Sequence, residues 1–407
     1  MRSVEIKDNV FWVGAIDWGI RDFHGYSTPE GTTYNAYLVR DDKVALIDTV
    51  KSGFERDLVK HIEQVVSPGD IDYIVVNHAE MDHTGVLPEI VGLVRPEKII
   101  CSANGQKALL SHYHREDWPY EVVAKGDTIS LGSKTLRFLG TPMLHWPDSM
   151  FTYIEQDRLL FSQDAFGQHW ATSERFDDEV GASELRYQSA KYYANILLLY
   201  SNLVARLISD VRAMGLEIDM IAPDHGLIWR SEPARIVGLY EEWSRQMPGD
   251  KALVVYDTMW RSTEAMARAV ADGLQQECAS VKVLGLAASH RSDVMTELLE
   301  AGAIVVGSAT LNNGMLPRVA DLLTYMKGLR PANKVGAAFG SYGWGGEAVK
   351  LVSQALEEMK VELVHPGLRV NYVPTADDLA QCFELGRHVG AAIKDRLRDR
   401  SPDLATA

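Results

Sequence analysis

Asn77-His-Ala-Glu-Met-Asp-His-Thr84 follows directly on the apolar run Ile71–Val76, and this stretch decides how the first 250 residues are read. A short apolar run that opens into a polar loop reads as a buried strand ending at a site. Within the loop His78, Glu80, Asp82 and His83 carry metal-binding side chains. Three more such residues close later strand-like segments: His145 in Leu144-His-Trp-Pro-Asp148, Asp164 in Leu160-Phe-Ser-Gln-Asp164, and His225 in Ala222-Pro-Asp-His-Gly226. All seven fall where a strand gives way to a loop, which is where open α/β sheets hold their ligands. Four imidazoles and three carboxylates suit two borderline metal ions sharing one carboxylate, a pair of irons or of zincs.

The chain has 407 residues, enough for two or three domains with cores of their own. Lys plus Arg is 41 against 56 for Asp plus Glu, a net charge of −15 that speaks against nucleic acid or an anionic membrane as partner. Met1-Arg-Ser-Val-Glu-Ile-Lys-Asp-Asn9 has no apolar signal-peptide core. No apolar stretch reaches the ~18 residues of a membrane span. The best candidate, Ile196–Ile208, is interrupted by Ser201, Asn202 and Arg206. Cys101, Cys278 and Cys382 lie far apart without any Cys-x-x-Cys, so disulfides, iron–sulfur clusters and a fused rubredoxin are not expected. A soluble cytoplasmic protein is the expectation.

The chain changes character at Ser244-Arg-Gln-Met-Pro-Gly-Asp250. Before it, strand-like segments run at Val4–Val13, Thr32–Ile47, Tyr73–Val76, Lys98–Cys101, Thr128–Leu139, Phe151–Glu155 and Met220–Ala222, with helical patterns at Phe54–Val66 and Glu184–Met214. Antiparallel strand runs with interspersed helices fit an αβ/βα sandwich over residues 1–247. After it, five strands (Ala252–Tyr256, Lys282–Gly285, Ile304–Gly307, Val335–Phe339, Val361–Val364) alternate with helices at Thr263–Gln276, Asp293–Ala301, Leu316–Gly328, Glu347–Met359 and Asp377–Arg400. That alternation predicts a doubly wound parallel sheet over 251–407.

Three loops of the second half have the content of a flat, anionic ligand's site. Asp257-Thr258-Met259-Trp260-Arg261-Ser262-Thr263 opens the first helix, where backbone N–H groups and hydroxyls favour a phosphate. The next is Ser308-Ala-Thr310-Leu311-Asn312-Asn313-Gly314, and the last Gly340-Ser341-Tyr342-Gly343-Trp344-Gly345-Gly346. Glycines admit a close approach of backbone to ligand, and Trp260, Tyr342 and Trp344 offer stacking surfaces. No Gly-x-Gly-x-x-Gly follows the first strand, and no Gly-Lys-Ser/Thr occurs.

Both halves carry family resemblances. The first pattern resembles the metallo-β-lactamase superfamily, whose zinc hydrolases usually have His-x-His-x-Asp-His; here Glu80 replaces the middle histidine. A carboxylate there adds negative charge and a hard oxygen donor, suited to two ferric ions, whereas redox-inert zinc is satisfied by neutral imidazoles. The His-x-Glu-x-Asp-His form resembles the flavodiiron proteins. The later loops resemble the three FMN-binding loops of flavodoxins, and Thr-Met-Trp-x-Ser-Thr is the phosphate-loop form of flavodiiron proteins. Asp22-Phe-His-Gly-Tyr26, Gly31-Thr-Thr-Tyr-Asn35, Ala165-Phe-Gly-Gln-His169 and Tyr192-Tyr-Ala-Asn-Ile196 are similar to that family too.

The resemblance implies a metallo-β-lactamase-like diiron domain followed by a flavodoxin-like FMN domain, the minimal two-domain class. One iron would take His78, Glu80 and His145, the other Asp82, His83 and His225, with Asp164 bridging; His83 is the ligand whose ring could turn away. FMN phosphate would sit on Thr258, Ser262 and Thr263. His24, Tyr26, His169 and Tyr193 stand either as hydrogen-bond donors lining the substrate pocket or as ordinary half-buried polar residues. The implied activity is reduction of dioxygen to water or of nitric oxide to nitrous oxide, with rubredoxin or a reduced deazaflavin coenzyme as donor. A head-to-tail homodimer, or a dimer of dimers, is implied as the assembly. A zinc hydrolase fused to a flavodoxin, and a non-catalytic flavin shuttle or gas sensor, are the alternatives.

Overall fold

The computed structural model describes residues 2–398 and divides into two compact units. The first comprises the chain through His24, 28–192 and 202–241; the second comprises 25–27, 193–201 and everything from Glu242. Two short segments from the first half of the sequence thus join the second unit, which a single cut between 247 and 251 does not capture.

The first unit is built on two sheets. Seven strands run in the spatial order Val4–Lys7, Val10–Trp12, Tyr37–Val39, Ala45–Ile47, Tyr73–Val76, Lys98–Ser102, Tyr120–Val123. The first four pair antiparallel and the rest parallel. Period-two alternation sends Leu46, Ile74, Val76, Ile99 and Cys101 to one core and Ala45, Ile47, Tyr73, Val75 and Ile100 to another. Buried on both faces, these strands read as unbroken apolar runs. The first core is covered by the helices Glu55–Ile62, Leu87–Val94 and Ala103–Tyr113, which supply Leu58, Ile62, Leu87, Ile90 and Leu109. The other core is closed by a five-stranded sheet, Thr128–Ser130, Thr135–Gly140, Met150–Ile154, Leu159–Phe161 and Met220–Ala222, through Leu136, Phe138, Met150, Phe161 and Ala222. This is the expected αβ/βα sandwich.

Several boundaries differ from the sequence reading for local reasons. Val4–Val13, Thr32–Ile47 and Thr128–Leu139 each fold back as separate strands, turned at residues such as Asn9, with φ of 58°, and Gly132, with φ of 129°. The helix expected over Glu184–Met214 is α-helical over Ala182–Tyr192 and Ser201–Ala213, with a π-turn at Tyr193–Leu197 and a 3₁₀ turn at Leu198–Tyr200 between them. By length and composition Ala182–Ala213 could cross a membrane. Gln188, Ser189 and Lys191 on it are buried within the protein.

The second unit has a parallel sheet in the order Ser280–Gly285, Gly249–Asp257, Ala301–Ser308, Val335–Tyr342, the doubly wound arrangement. The fifth strand expected at Val361–Val364 is instead two pieces. Glu362–Leu363 pairs with Val335 and Gly336, and Leu368–Asn371 with the far half of the same strand, Phe339–Tyr342. Between them lie Pro366, which has no N–H to offer a ladder, and Gly367, with φ of 99°. Of the last expected helix, Ala376–Arg398 is observed, and residues 399 and 400 lie outside the described residues.

Candidate functional site

The seven metal-donor side chains converge at the carboxyl ends of strands in the first unit. His78 and Glu80 follow Tyr73–Val76, Asp82 and His83 ride the short helix Met81–Thr84, and Asp164 and His225 follow Leu159–Phe161 and Met220–Ala222. His145 comes from the loop after Thr135–Gly140. Their atoms fall into two groups, His78, Glu80, His145, Asp164 and Asp82, His83, His225, with donor atoms within 4.8 Å of one another in each.

Asp164, a member of the first group, also faces the second. Its Oδ2 lies 3.0 Å from His145 Nε2 and 3.3 Å from His78 Nε2; its Oδ1 lies 3.3 Å from both His83 Nε2 and His225 Nε2. Glu80 Oε2 caps the first group, 3.2 Å from His78 Nε2 and 3.3 Å from His145 Nε2. Asp82 Oδ2 caps the second, 3.1 Å from His225 Nε2 and 3.4 Å from His83 Nε2. Asp82 Oδ1, His83 Nε2 and Asp164 Oδ2 are buried without a hydrogen-bond partner. Apart from the His78 Nε2–Glu80 Oε2 hydrogen bond, atoms this close converge on common centres, which is the donor geometry of two cations sharing one carboxylate. The donor set therefore fits the pair of irons that the resemblance implies.

Surrounding groups fix which ring nitrogen faces each centre. His225 Nδ1 lies 2.6 Å from the Thr33 carbonyl, which can only accept, so Nδ1 carries the proton and Nε2 is free to bind metal. His78 Nδ1 lies 3.0 Å from Asp148 Oδ2, and the same oxygen accepts from Ala79 N at 2.6 Å. Burial works against protonating His78, but its bonds to Asp148 and Glu80 outweigh it and hold the ring well above the usual imidazole range when no metal is bound. Burial likewise opposes charge on His83, yet Asp82 and Asp164 push it up to about 9. These are rings on which carboxylates concentrate positive charge.

Asn35 holds the turn that carries His225. Its Nδ2 donates to Pro223 O (2.7 Å) and Gly226 O (3.0 Å), its Oδ1 accepts from Trp12 Nε1 (2.8 Å), and its N–H donates to Asp224 O (2.7 Å). Gly226, with φ of 78°, completes the turn because any side chain there would run into Gln168. Asn35→Ala is expected to weaken metal at the His225 position about 10- to 100-fold. Competition with a chelator measures this, and FMN content should not change.

The expected pocket donors divide. His24, exposed, places Nε2 3.2 Å from Glu80 Oε1. His169 is buried, with Nδ1 2.8 Å from Thr32 Oγ1 and its ring 4.7 Å from that of His225; burial, and then the charge of His225, lower it well below the imidazole range and keep it neutral. Tyr26 is buried in the short strand Tyr26–Ser27, grouped with the second unit. Tyr193 matches the second of its two readings, an ordinary buried polar residue: its hydroxyl lies 3.1 Å from Ser201 Oγ and its ring packs on Trp243. Tyr192, one residue earlier, is the one whose phenol feels the charge of Asp164, with its ring 5.1 Å from that of His169. Successive helical side chains point about 100° apart, so a one-residue error changes the face. Burial and then the charge of Asp164 hold the Tyr192 phenol well above its ordinary value, hence protonated.

Sequence reasoning also passed over Asp148, Thr32 and Thr33, although each lies in a quoted segment. Their type is unremarkable and only the fold brings them beneath the rings.

In the second unit a cavity of about 780 Å³ lies among the three loops. Met259, Trp260 and Ser262 form one wall, Thr310, Leu311, Asn312 and Asn313 a second, and Ser341, Tyr342, Gly343, Trp344 and Gly345 a third. Asn312 and Asn313, with φ of 49° and 59°, turn a hairpin between Thr310–Leu311 and Gly314–Met315, as two-residue primed turns require. Ser262 begins a 14-residue helix, whose N-terminus suits a phosphate. Trp260 and Trp344 stand 90% and 91% exposed on the rim, large apolar faces open to a planar ring. Size, anion site and aromatic rim together fit FMN.

Four expected residues do not line this cavity. Thr258 and Arg261 are not among its lining residues, Thr263 is buried with Oγ1 2.9 Å from Ser341 Oγ, and Gly346 caps the helix Glu347–Glu358 at a φ of 106°. Tyr372 and Val373 line it unforeseen, because the strand Leu368–Asn371 that delivers them was assigned to no element.

Comparisons with known proteins agree with this geometry. The family model "ODP family beta lactamase" matches residues 32–226, and "Flavodoxin" matches 254–386. "Nitric oxide reductase" of Moorella thermoacetica is 49% identical over 397 residues, 97% of this chain and 100% of that protein. "Rubredoxin-oxygen oxidoreductase" of Megalodesulfovibrio gigas is 44% identical over 400 residues, 98% of this chain and 100% of that protein. The crystal structure of the flavodiiron protein from Giardia intestinalis superposes with a TM-score of 0.95 at 34% identity, covering 98% of each chain. With its β-lactamase-like unit holding a two-centre donor set and its flavodoxin unit an FMN-sized cavity, this chain belongs to the flavodiiron proteins.

Proposed function

We propose that this protein is an oxidoreductase that reduces dioxygen to water, nitric oxide to nitrous oxide, or both, at a diiron centre supplied with electrons through FMN. One observation carries the reading: Asp164 divides its two oxygens between two groups of donors, each with two imidazoles and a terminal carboxylate. When bound, the irons supply redox-active, open positions for a diatomic gas, and FMN supplies a relay that handles one or two electrons.

The chain's own residues do the rest. His78, Glu80 and His145 would hold one iron and Asp82, His83 and His225 the other, and Asp164 would be shared between them. The Met259–Ser262 stretch, Thr310–Asn313 and Ser341–Gly345 would cradle FMN, with phosphate at Ser262. Both reductions consume protons as well as electrons. Tyr192, a protonated phenol near Asp164, and His169, a neutral buried imidazole, would supply hydrogen bonds beside the gas. His24, exposed yet in contact with Glu80, is placed to pass protons from solvent.

The proposed donor is a rubredoxin, with a reduced deazaflavin coenzyme as the other option, and the proposed place of action is the cytoplasm. The names of the relatives do not favour a zinc hydrolase. A head-to-tail dimer, or a dimer of dimers, would bring one subunit's flavin to the other's irons, and the exposed faces of Trp260 and Trp344 suit such a junction. A monomeric variant is expected to keep both cofactors and lose donor-driven turnover; sedimentation and rate measured on one sample check this.

The deciding test reduces iron- and FMN-loaded protein anaerobically and follows steady consumption of dioxygen and of nitric oxide separately. Sustained turnover with either gas is expected. Binding without turnover for both gases would leave a sensor or shuttle and overturn the reading.

A further inference from the structure

Donor type does not distinguish the two metal positions. Each has two imidazoles and one terminal carboxylate, and they share Asp164. What differs lies behind the rings. His78 Nδ1 faces the carboxylate of Asp148 at 3.0 Å, whereas His225 Nδ1 faces the neutral carbonyl of Thr33 at 2.6 Å. An imidazole that shares its proton with a carboxylate becomes a more basic, more electron-donating ligand, and outer partners of this kind tune the metal's potential.

We propose that Asp148 makes the two irons electronically inequivalent, giving the iron of His78, Glu80 and His145 the lower reduction potential, so that the first electron enters at the Asp82, His83 and His225 position. The inference rests on the reading of the pair as a redox centre. Asp148 is a positioning and tuning residue: it acts on the metal through His78 and touches no substrate.

The local structure is built to hold that carboxylate. Asp148 is 3% exposed. Its Oδ2 takes the Ala79 N–H at 2.6 Å as well as His78, and its carbonyl accepts from Ser102 Oγ at 2.7 Å, so its backbone and side chain are both tied. A charge kept from water acts on the ring with little screening.

Two neighbours act in the opposite sense, and neither hydrogen-bonds a ligating imidazole. His24 lies 3.2 Å from Glu80 Oε1 and would draw charge from the same iron's ligand, but it is 72% exposed and screened by solvent. Asp224 approaches His83 Nδ1, but at 3.7 Å with neither carboxyl oxygen in a hydrogen bond, so it does not share that ring's proton.

Asp148→Asn tests the inference, because an amide oxygen in the place of Oδ2 still accepts from Ala79 and His78 while the charge is gone. Wild-type protein, D148N and D224N are loaded with iron-57 and FMN and titrated electrochemically, with Mössbauer spectra and metal content read at each step. The expected result is that the lower iron step of D148N rises toward the upper one, while D224N leaves their spacing near the wild-type value. Loss of one iron alone from D148N, with the retained spectrum matching the iron reduced first in wild type, supports the assignment as well. Unchanged spacing in D148N, an equal shift of both steps, loss of both irons together, or a larger change in D224N would overturn it. The two readings fail differently. Wild-type protein without reducible iron defeats the redox centre itself, whereas a normal two-step wild type with an unaltered D148N defeats only the role of Asp148.

Discussion

Asp164→Ala should lower iron from two ions per chain to one or none and cut gas-reducing turnover by more than about 100-fold, while leaving FMN in place. Asp164 is buried, and its two oxygens face different donor groups. Two dications about 4 Å apart repel by four times the ~4 kcal/mol of a unit pair at an effective dielectric near 20. An anion between them is where that repulsion is offset best. Without it each position keeps two imidazoles and one carboxylate, enough for a single ion but not for two neighbours. The flavin cavity draws all its walls from residues 259–373, so its occupancy should be unaffected. Asp164→Asn, which keeps an oxygen donor without charge, should fall between. Elemental analysis, flavin absorbance and turnover on one preparation check this, and two irons with a wild-type rate in D164A would refute a bridge.

Glu80→His should turn the site into a zinc site. The change creates the His-x-His-x-Asp-His order and removes one of three anions from the donor set. A diferric pair carries two more positive charges than a dizinc pair, so the lost carboxylate penalises oxidised iron most. Imidazole satisfies zinc at either position, and zinc has no second oxidation state to stabilise. Protein matured with both metals available is expected to hold zinc between His78 and His145, and reductase turnover to fall by more than about 100-fold. Glu80 sits near the surface end of the cluster, with His24 against its outer oxygen, so the sandwich should survive with circular dichroism unchanged. Retention of two irons and the wild-type rate would show that this carboxylate does not select the redox metal.

Much of the architecture was legible. Apolar runs such as Tyr73–Val76 mark strands buried on both faces, and the strand–helix alternation after Asp250 marks a parallel sheet. Donor residues were legible by type, because such side chains are costly at buried strand ends without a ligand. Where the reading missed, the signal was absent or misleading. The Tyr192-Tyr193 pair offers two identical phenols, and only the helix rotation before the π-turn decides which lies close enough to feel the charge of Asp164. The fifth strand's apolar run, Val361–Val364, hid the later piece that carries Tyr372 to the flavin cavity, because Pro366 and Gly367 split the pairing.

From the sequence alone came the two-part fold class and the kinds of donor atom, and Glu80 in place of a histidine carried the expectation of a redox metal over zinc. Those properties follow from residue type and short-range order, which a chain carries before it folds. Only the tertiary structure decided that Asp164 offers one oxygen to each group, that Asp148 backs one imidazole where Thr33 backs another, and that Tyr192 is the phenol beside them. These depend on angles and on separations of a few ångströms between residues far apart in the chain, 70 positions for His78 and Asp148 and 192 for His225 and Thr33, which are set by how two sheets pack and not by any local spacing.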